Sequence, residues 1–598
     1  MKRIGTLVAA AALSACAAID SPPLTDAASA PARSAAERLQ SVMDADWERR
    51  LQASPLWLAS MIGDRRYNDR WADLGAEAIA ADHQQRRQLL AALEAIDRGA
   101  LSAGDRLNHD LLVDELRTSI ERDAFRTHLM PISHMFGIQS VSTAADRLRF
   151  TTAQDYRDWI ARLEAFGTYV DQHIALMREG IAAGIVPPRV VMERVPEQIA
   201  AQVVESAEDS PFYAPFRRLP ESLEAAESEA LAEAGRAAIT DTVLPAFRRF
   251  QAFFNAIYLP ACRDGIAASA LPDGERFYAF EVRRFTTTEL DPEAVHATGL
   301  AEVARIRAQM DAIIDQVGFD GSFAEFLHFL RTDPQFYHDS PEALLTGYRD
   351  IAKRIDPELV KLFGRLPRMP YGVIAMPAAI APDAPTAYYS RGAADGSRAG
   401  MFLANTHKPE TRPKYEMEAL TVHEAMPGHH LQIALQQELG GLPMFRRFGG
   451  YTAFVEGWGL YSESLGEALG LYTDPYSKFG QLTYEMWRAI RLVVDTGMHH
   501  KGWTRQQAID YFKANAGKSE NDIVNEIDRY IAWPGQALAY KVGELRIQAL
   551  RRQAEQALGE GFDIRAFHDT VLGAGAVPLN ILERRVQAWI AEQAGDAG

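Results

Sequence analysis

The chain has 598 residues, 47 % of them apolar, and a formal charge of −17. That length buries one large or two medium cores, and the acidic balance argues against a nucleic-acid partner and fits a soluble enzyme. The only two cysteines, Cys16 and Cys262, exclude a disulfide-built scaffold.

The first residues read as an address. Lys2 and Arg3 precede an apolar run over residues 4–12 that is too short to span a bilayer and ends in small residues, so residues 1–16 form a signal peptide. Leu13-Ser14-Ala15-Cys16 resembles the bacterial lipobox. The resemblance implies that Cys16 is lipidated and, with Ala17 rather than Asp next, that the protein sits on the periplasmic face of the outer membrane. Residues 17–35, rich in Ala, Ser, Pro and Asp, read as a flexible tether. No later stretch is apolar enough to cross a membrane, so the lipid is the expected membrane contact. Cys262 then has no partner and reads as a buried apolar thiol.

Residues 36–598 read as a mainly α-helical body: a helical lobe over 36–365 and a catalytic lobe over 366–598. Residues 35–125 repeat apolar positions every three or four residues. Residues 150–315 continue as long amphipathic helices broken at Pro187-Pro188, Pro211 and Pro260. Asp291-Pro292-Glu293-Ala294 reads as a helix start with an acidic first turn. Between Pro367 and Thr406 the texture changes to Pro, Gly, Tyr and Ala. Residues 387–390 and 400–406 are short and strand-like, joined by a turn-rich stretch over 394–398. The 400–406 strand, ending near Asn405, is expected to be a sheet edge that takes up a substrate backbone by strand addition.

The chemistry concentrates in Thr421-Val422-His423-Glu424-Ala425-Met426-Pro427-Gly428-His429-His430-Leu431-Gln432. A His followed at once by Glu is how zinc peptidases carry both a metal ligand and a base. The usual second ligand, four residues after the first, is here Pro427. On an ideal helix His429 lies roughly 240° around from His423, whereas His430 returns to the same face about 10.5 Å along the axis. Pro427 and Gly428 break helical regularity, so a kinked turn brings His429 beside His423; His430 is the alternative ligand.

A catalytic zinc needs a third protein ligand and an open position. Glu456 sits on an otherwise apolar helix, Val455-Glu456-Gly457-Trp458-Gly459-Leu460-Tyr461-Ser462-Glu463, where an unpaired carboxylate is costly. Glu463, seven residues on, shares its face and suits a supporting role. After a helix carrying Trp487, Arg488 and Arg491, His499 is a candidate for stabilising an oxyanion or orienting a ligand. Thr504 and Gln507 form an ordinary capping box. Arg529, Tyr530, Gln536, Tyr540 and Lys541 flank a Pro534-Gly535 break and are expected to line a cleft. Tyr530 or Tyr540 would donate to an oxyanion, and Arg529 or Lys541 would meet a substrate carboxylate.

His-Glu-Ala-Met-Pro-Gly-His-His-Leu-Gln resembles the signature of the bacterial "domain of unknown function 885" family, His-Glu-x-x-Pro-Gly-His followed by a variable residue, an apolar residue and Gln. Ser54-Pro55-Leu56-Trp57, Gly299-Leu300-Ala301-Glu302, the Asp495-x-Gly-x-His499 stretch and residues 528–543 extend the likeness over most of the mature chain. The resemblance implies a Glu-zincin metallopeptidase-like fold, two-lobed and helical with a small β-sheet beside the metal helix. It implies His423, His429 and Glu456 as zinc ligands and Glu424 as the base. The expected activity is zinc-dependent hydrolysis of a peptide substrate. Two other readings stay open: an amide or isopeptide hydrolase with a non-standard substrate, and a non-catalytic peptide-binding envelope lipoprotein.

Overall fold

The structure, a computed structural model, describes residues 33–596 apart from 379–380, 382–384, 394–395 and 397. The signal peptide, Cys16, nearly all of the tether and most of the 394–398 turn lie outside the described residues.

The protein is mainly helical, and its helices begin where local chemistry tells them to. Ser34 and Glu37 close a capping box at the start of α1 (Ala35–Ala53). Thr152 and Asp155 do the same for α2 (Ala153–Ala183), which ends at Gly184 in the left-handed region ahead of Pro187-Pro188. Asp291 caps α3 (Pro292–Gln316) by accepting from the Ala294 N–H, as its sequence predicts. Ser340 caps α4 (Pro341–Ile355). Six further helices build the site: α5 (Lys414–Glu424), α6 (His429–Glu438), α7 (Thr452–Glu463), α8 (Pro475–His499), α9 (Glu520–Ala532) and α10 (Ala539–Leu558). The Thr504–Gln507 capping box is also present, opening a helix over Arg505–Asn515.

Between α4 and α5 lies a mixed sheet of β1 (Tyr371–Ala375), β2 (Ala387–Ser390) and β3 (Gly400–Ala404) in the order β1-β3-β2. β1 runs parallel to β3 with Tyr371 opposite Gly400, and β2 runs antiparallel with Ala387 opposite Ala404. This corrects the expectation of an edge strand at 400–406. Both sides of β3 are already paired, so it has no backbone groups left for strand addition. β2 is the edge strand that lies against α5.

Two apolar cores hold the fold. One gathers Leu112, Val282, Tyr348, Phe402, Leu420, Trp458 and Leu550. The other gathers Trp159, Phe247, Ile306, Phe326, Ile490 and Phe512. Each draws on both sides of residue 365, so the cores do not follow a division at that point. α8 runs between them, giving Tyr484 and Leu492 to the first and Met486 and Val493 to the second. Its polar residues are therefore buried along with its apolar ones. Cys262 is a buried free thiol, and burial pushes it up to about 12.

α7 and α10 cross with their backbones in contact. A Cβ at Gly457 would lie 2.5 Å from the Gly543 Cα, and one at Gly543 would lie 1.9 Å from the Ala453 carbonyl oxygen. The crossing fixes the height of α7, and with it Glu456. Gly543→Ala is expected to cost about 3 kcal/mol by overpacking backbone against backbone. Gly561→Ala, where a Cβ meets nothing within 4 Å, stays within about 0.5 kcal/mol. Thermal melts of the two variants beside the parent check this difference.

Candidate metal centre

α5 ends on Glu424 and α6 begins on His429, and the residues between them replace the straight helix with a wide turn. The Gly428 N–H donates to the Val422 carbonyl at 2.9 Å and the His430 N–H to that of Ala425 at 3.1 Å. A side chain at 428 would sit 2.0 Å from the His423 carbonyl oxygen, so only glycine lets the chain fold back this closely. The Trp458 indole N–H donates to the Pro427 carbonyl at 2.9 Å and pins the turn to α7.

The turn sets the His423 and His429 rings edge to face, with centroids 4.7 Å apart. Glu456 of α7 meets both: its Oε2 lies 3.5 Å from His429 Nε2 and 3.9 Å from His423 Nε2. All three ligand atoms fall within 4.8 Å of one another. Two of these separations approach the ~3.4 Å between tetrahedral ligands bonded at ~2.1 Å, and a two-nitrogen, one-oxygen set suits a divalent transition metal. Glu456 keeps 21 % of its side chain exposed, which leaves the outer side of the group open. A cavity of about 420 Å³ reaches Tyr451 and Thr452, one turn ahead of Glu456, with Arg122, Arg284 and Phe285 on its walls; the three ligands are not among its lining.

Behind His423 stands Glu463, fully buried, with Oε1 2.7 Å from Nδ1. A carboxylate opposite Nδ1 places the ring hydrogen there and turns Nε2 toward Glu456. Burial works against a charge on His423, but Glu456, Glu463 and Glu424 outweigh it and raise its pKa to about 9. Burial likewise opposes a charge on Glu456, and the two imidazoles overcome it and hold the carboxyl well below the usual carboxylate range.

Glu424 closes α5 immediately beside His423, buried yet with no hydrogen-bond partner among the described residues. Tyr348 of α4 stands within electrostatic range of it and packs edge-on to Phe402 at 5.2 Å. Nothing in the amphipathic pattern of residues 341–355 marks Tyr348, because the sheet that carries Phe402 brings it there.

His430 is not the second ligand. Its Nδ1 pairs with the Tyr389 hydroxyl at 3.0 Å and its Nε2 with the Met369 carbonyl at 3.1 Å, so it ties the sheet to α6. His499 is also occupied at both nitrogens: Nδ1 accepts from the Ala268 N–H at 2.9 Å and Nε2 meets the Tyr530 carbonyl at 3.0 Å. It fastens backbone and has no nitrogen left for an oxyanion. Lys541 is wholly buried among Glu302, Glu485 and Glu544 at 3.0, 2.8 and 2.7 Å, so it has no capacity for a substrate carboxylate. Tyr530 is buried as well; its hydroxyl accepts from Trp487 Nε1 at 3.2 Å and Arg491 Nε at 2.8 Å and donates to Glu526, which removes it as a free donor. Asn405 is buried and donates to the carbonyls of Ala381 and Pro385 at 2.7 and 3.2 Å, bracing the loop ahead of β2. Arg529 donates to Gln536 at 2.5 Å and to the half-buried Tyr540 at 3.5 Å.

Comparison with known proteins places this arrangement in a family. The profile of DUF885, described as a bacterial protein of unknown function, matches residues 57–586, and the chain belongs to that family. A candidate lipoprotein from Colwellia psychrerythraea shares the fold at a TM-score of 0.88 and 30 % identity, over 94 % of this chain and 100 % of its own. A candidate lipoprotein of unknown function from Shewanella oneidensis, at 17 % identity, shares the fold alone, with a TM-score of 0.71 over 92 % of this chain and 99 % of its own. No curated protein matches the chain. Among the described residues no helix is long and apolar enough to cross a membrane.

His429→Ala is expected to abolish stoichiometric zinc binding while His430→Ala retains it, as read by metal analysis after dialysis. Glu463→Gln is expected to weaken zinc about 10- to 100-fold, the usual cost of losing a ligand's hydrogen-bond partner. Because the surrounding carboxylates raise His423 to about 9, metal uptake at pH 7.5 is expected to release about one proton from it, and affinity is expected to keep rising with pH toward 9. Calorimetry in buffers of differing ionisation enthalpy measures that proton.

Proposed function

We propose that this DUF885 protein is a zinc-dependent peptide hydrolase, with His423, His429 and Glu456 holding the metal and Glu424 serving as base. The observation that carries the reading is the pairing of that ligand group with an adjacent, buried, uncommitted carboxylate. Zinc at such a site acts as a Lewis acid and makes water a competent nucleophile near neutral pH.

The remaining steps belong to the chain itself. Glu424 is one residue from His423 and accepts no hydrogen bond among the described residues, so it is free to take the proton of the attacking water and return it to the departing amine. Glu463 keeps the His423 ring in one orientation throughout. With Tyr530 committed, Tyr348, in the field of Glu424, joins Tyr540 as a candidate donor to the developing oxyanion. The free edge of β2, lying along α5, is the place for an extended substrate backbone. We place the protein in the cell envelope, held by lipid on Cys16 at the periplasmic face of the outer membrane.

Glu424→Gln tests the reading. Hydrolysis of a mixed peptide library is expected to fall by at least 10²-fold with zinc content unchanged. Loss of zinc together with activity would remove Glu424 from the role of base, and full activity would remove the mechanism. Tyr348→Phe is expected to lower kcat by about 10-fold or more with KM little changed, as for loss of an oxyanion donor; unchanged kcat would exclude it.

A further inference from the structure

The buried charges along α8 do not all balance. Arg488 stands 4.0 Å from Glu463, and Lys518 pairs with Glu416 at 2.7 Å. Arg491 and Arg529, by contrast, share the single carboxylate of Glu526, at 3.1 and 3.3 Å. Their other polar contacts are to neutral groups: Arg491 to the Tyr530 hydroxyl, Arg529 to Gln536 and Tyr540. Among the described residues Glu526 is the carboxylate in contact with these two guanidiniums, one negative charge for two positive; the buried Asp495, in the field of Arg529, is held by the Tyr278 hydroxyl and the Gly535 N–H instead.

Arg491 carries that excess. It is 4 % exposed, and its Nη1 is buried without a partner. A buried guanidinium donor left unmade is costly, so such an atom marks a place for an acceptor that the protein does not itself supply. The guanidinium lies 4.4 Å from the centroid of Tyr540 and 5.1 Å from that of Trp487. Both rings are half-buried, as is Arg529, so the cluster reaches solvent at these three side chains while Arg491 lies beneath them. Planar guanidinium donors between aromatic faces are the usual means of holding a carboxylate.

The cluster also lies within a few residues' reach of the metal ligands. Glu463, which holds His423, is the acid beside Arg488, and Arg491 is one turn further along α8, ~4.5 Å by helical rise. Laid end to end, the steps from His423 to Glu463, to Arg488 and one turn along α8 reach at most about 11 Å, which three or four extended residues at ~3.3 Å each span. We infer that Arg491, with Arg529 beside it, binds the C-terminal carboxylate of a short peptide substrate, which makes the enzyme one that counts residues from the free acid end. This rests on the peptide-hydrolase reading above and gives it a substrate class.

The test uses Glu424→Gln protein supplied with zinc and three libraries of N-acetylated tetrapeptides: neutral residues with a free acid end, the same peptides amidated, and amidated peptides containing Asp or Glu. Equilibrium dialysis with mass spectrometry reads retention. The free acids are expected to be retained at least 10-fold over both amidated libraries, and Arg491→Lys, which keeps the charge but loses the fork, is expected to erase that preference with zinc content and circular dichroism unchanged. If Arg491→Lys does not fold, Arg529→Gln is expected to reduce the same preference. Equal retention of all libraries, no retention of any, or retention of the acidic amides overturns the assignment. Hydrolysis by the wild type is scored separately. Cleavage without acid preference removes the carboxylate site and leaves the peptidase; acid preference without cleavage removes the peptidase and leaves the site.

Discussion

The site depends on one constraint: two histidines six residues apart must meet at a single point although helical geometry sends them to different faces. The chain meets it by giving up the helix between Glu424 and His429. Gly428 allows the backbone to turn back onto the His423 carbonyl, and the Trp458 indole bonded to the Pro427 carbonyl holds the turn against α7. The same helix brings Glu456, so the element that braces the break also delivers the third member of the candidate metal group. Gly459 leaves the space the His423 ring occupies, since a Cβ there would lie 2.8 Å from Cε1. Break, brace and ligand form one unit, and the Gly457–Gly543 crossing anchors it to α10.

Around that unit the protein buries several charged groups, and they differ in how fully they are paired. Lys541, with three carboxylates and Arg305 on Glu485 nearby, is closed and holds α3, α8 and α10 together. His499 and His430 are neutral fasteners: burial drives each down to about 4, and both ring nitrogens of each are committed. Glu424 and Arg491 differ from these because each is buried with bonding capacity unspent.

Much of this was legible in the amino-acid order. Capping residues such as Asp291 and Thr504 act locally, so their helices begin where the sequence places them. The Pro-Gly pair announces a break, and the lone acid on an apolar helix announces a partner for Glu456. Long-range placement was not legible. Residues 400–406 look like an edge strand, but β1, which the pattern did not mark, pairs with their far side. Lys541 and His499 look available because most of their partners come from segments dozens or hundreds of residues away. The sequence gives Arg491 no role, and its burial follows from α8 running between two cores.

The most direct test of the central claim is X-ray absorption at the zinc edge on the protein loaded with one equivalent of zinc. The account predicts two imidazole nitrogens and light oxygen scatterers at ~2.0–2.2 Å, with no sulfur, and one imidazole fewer in His429→Ala but not in His430→Ala. A metal bound through one imidazole or three, or an unchanged spectrum in His429→Ala, would contradict the broken-helix site.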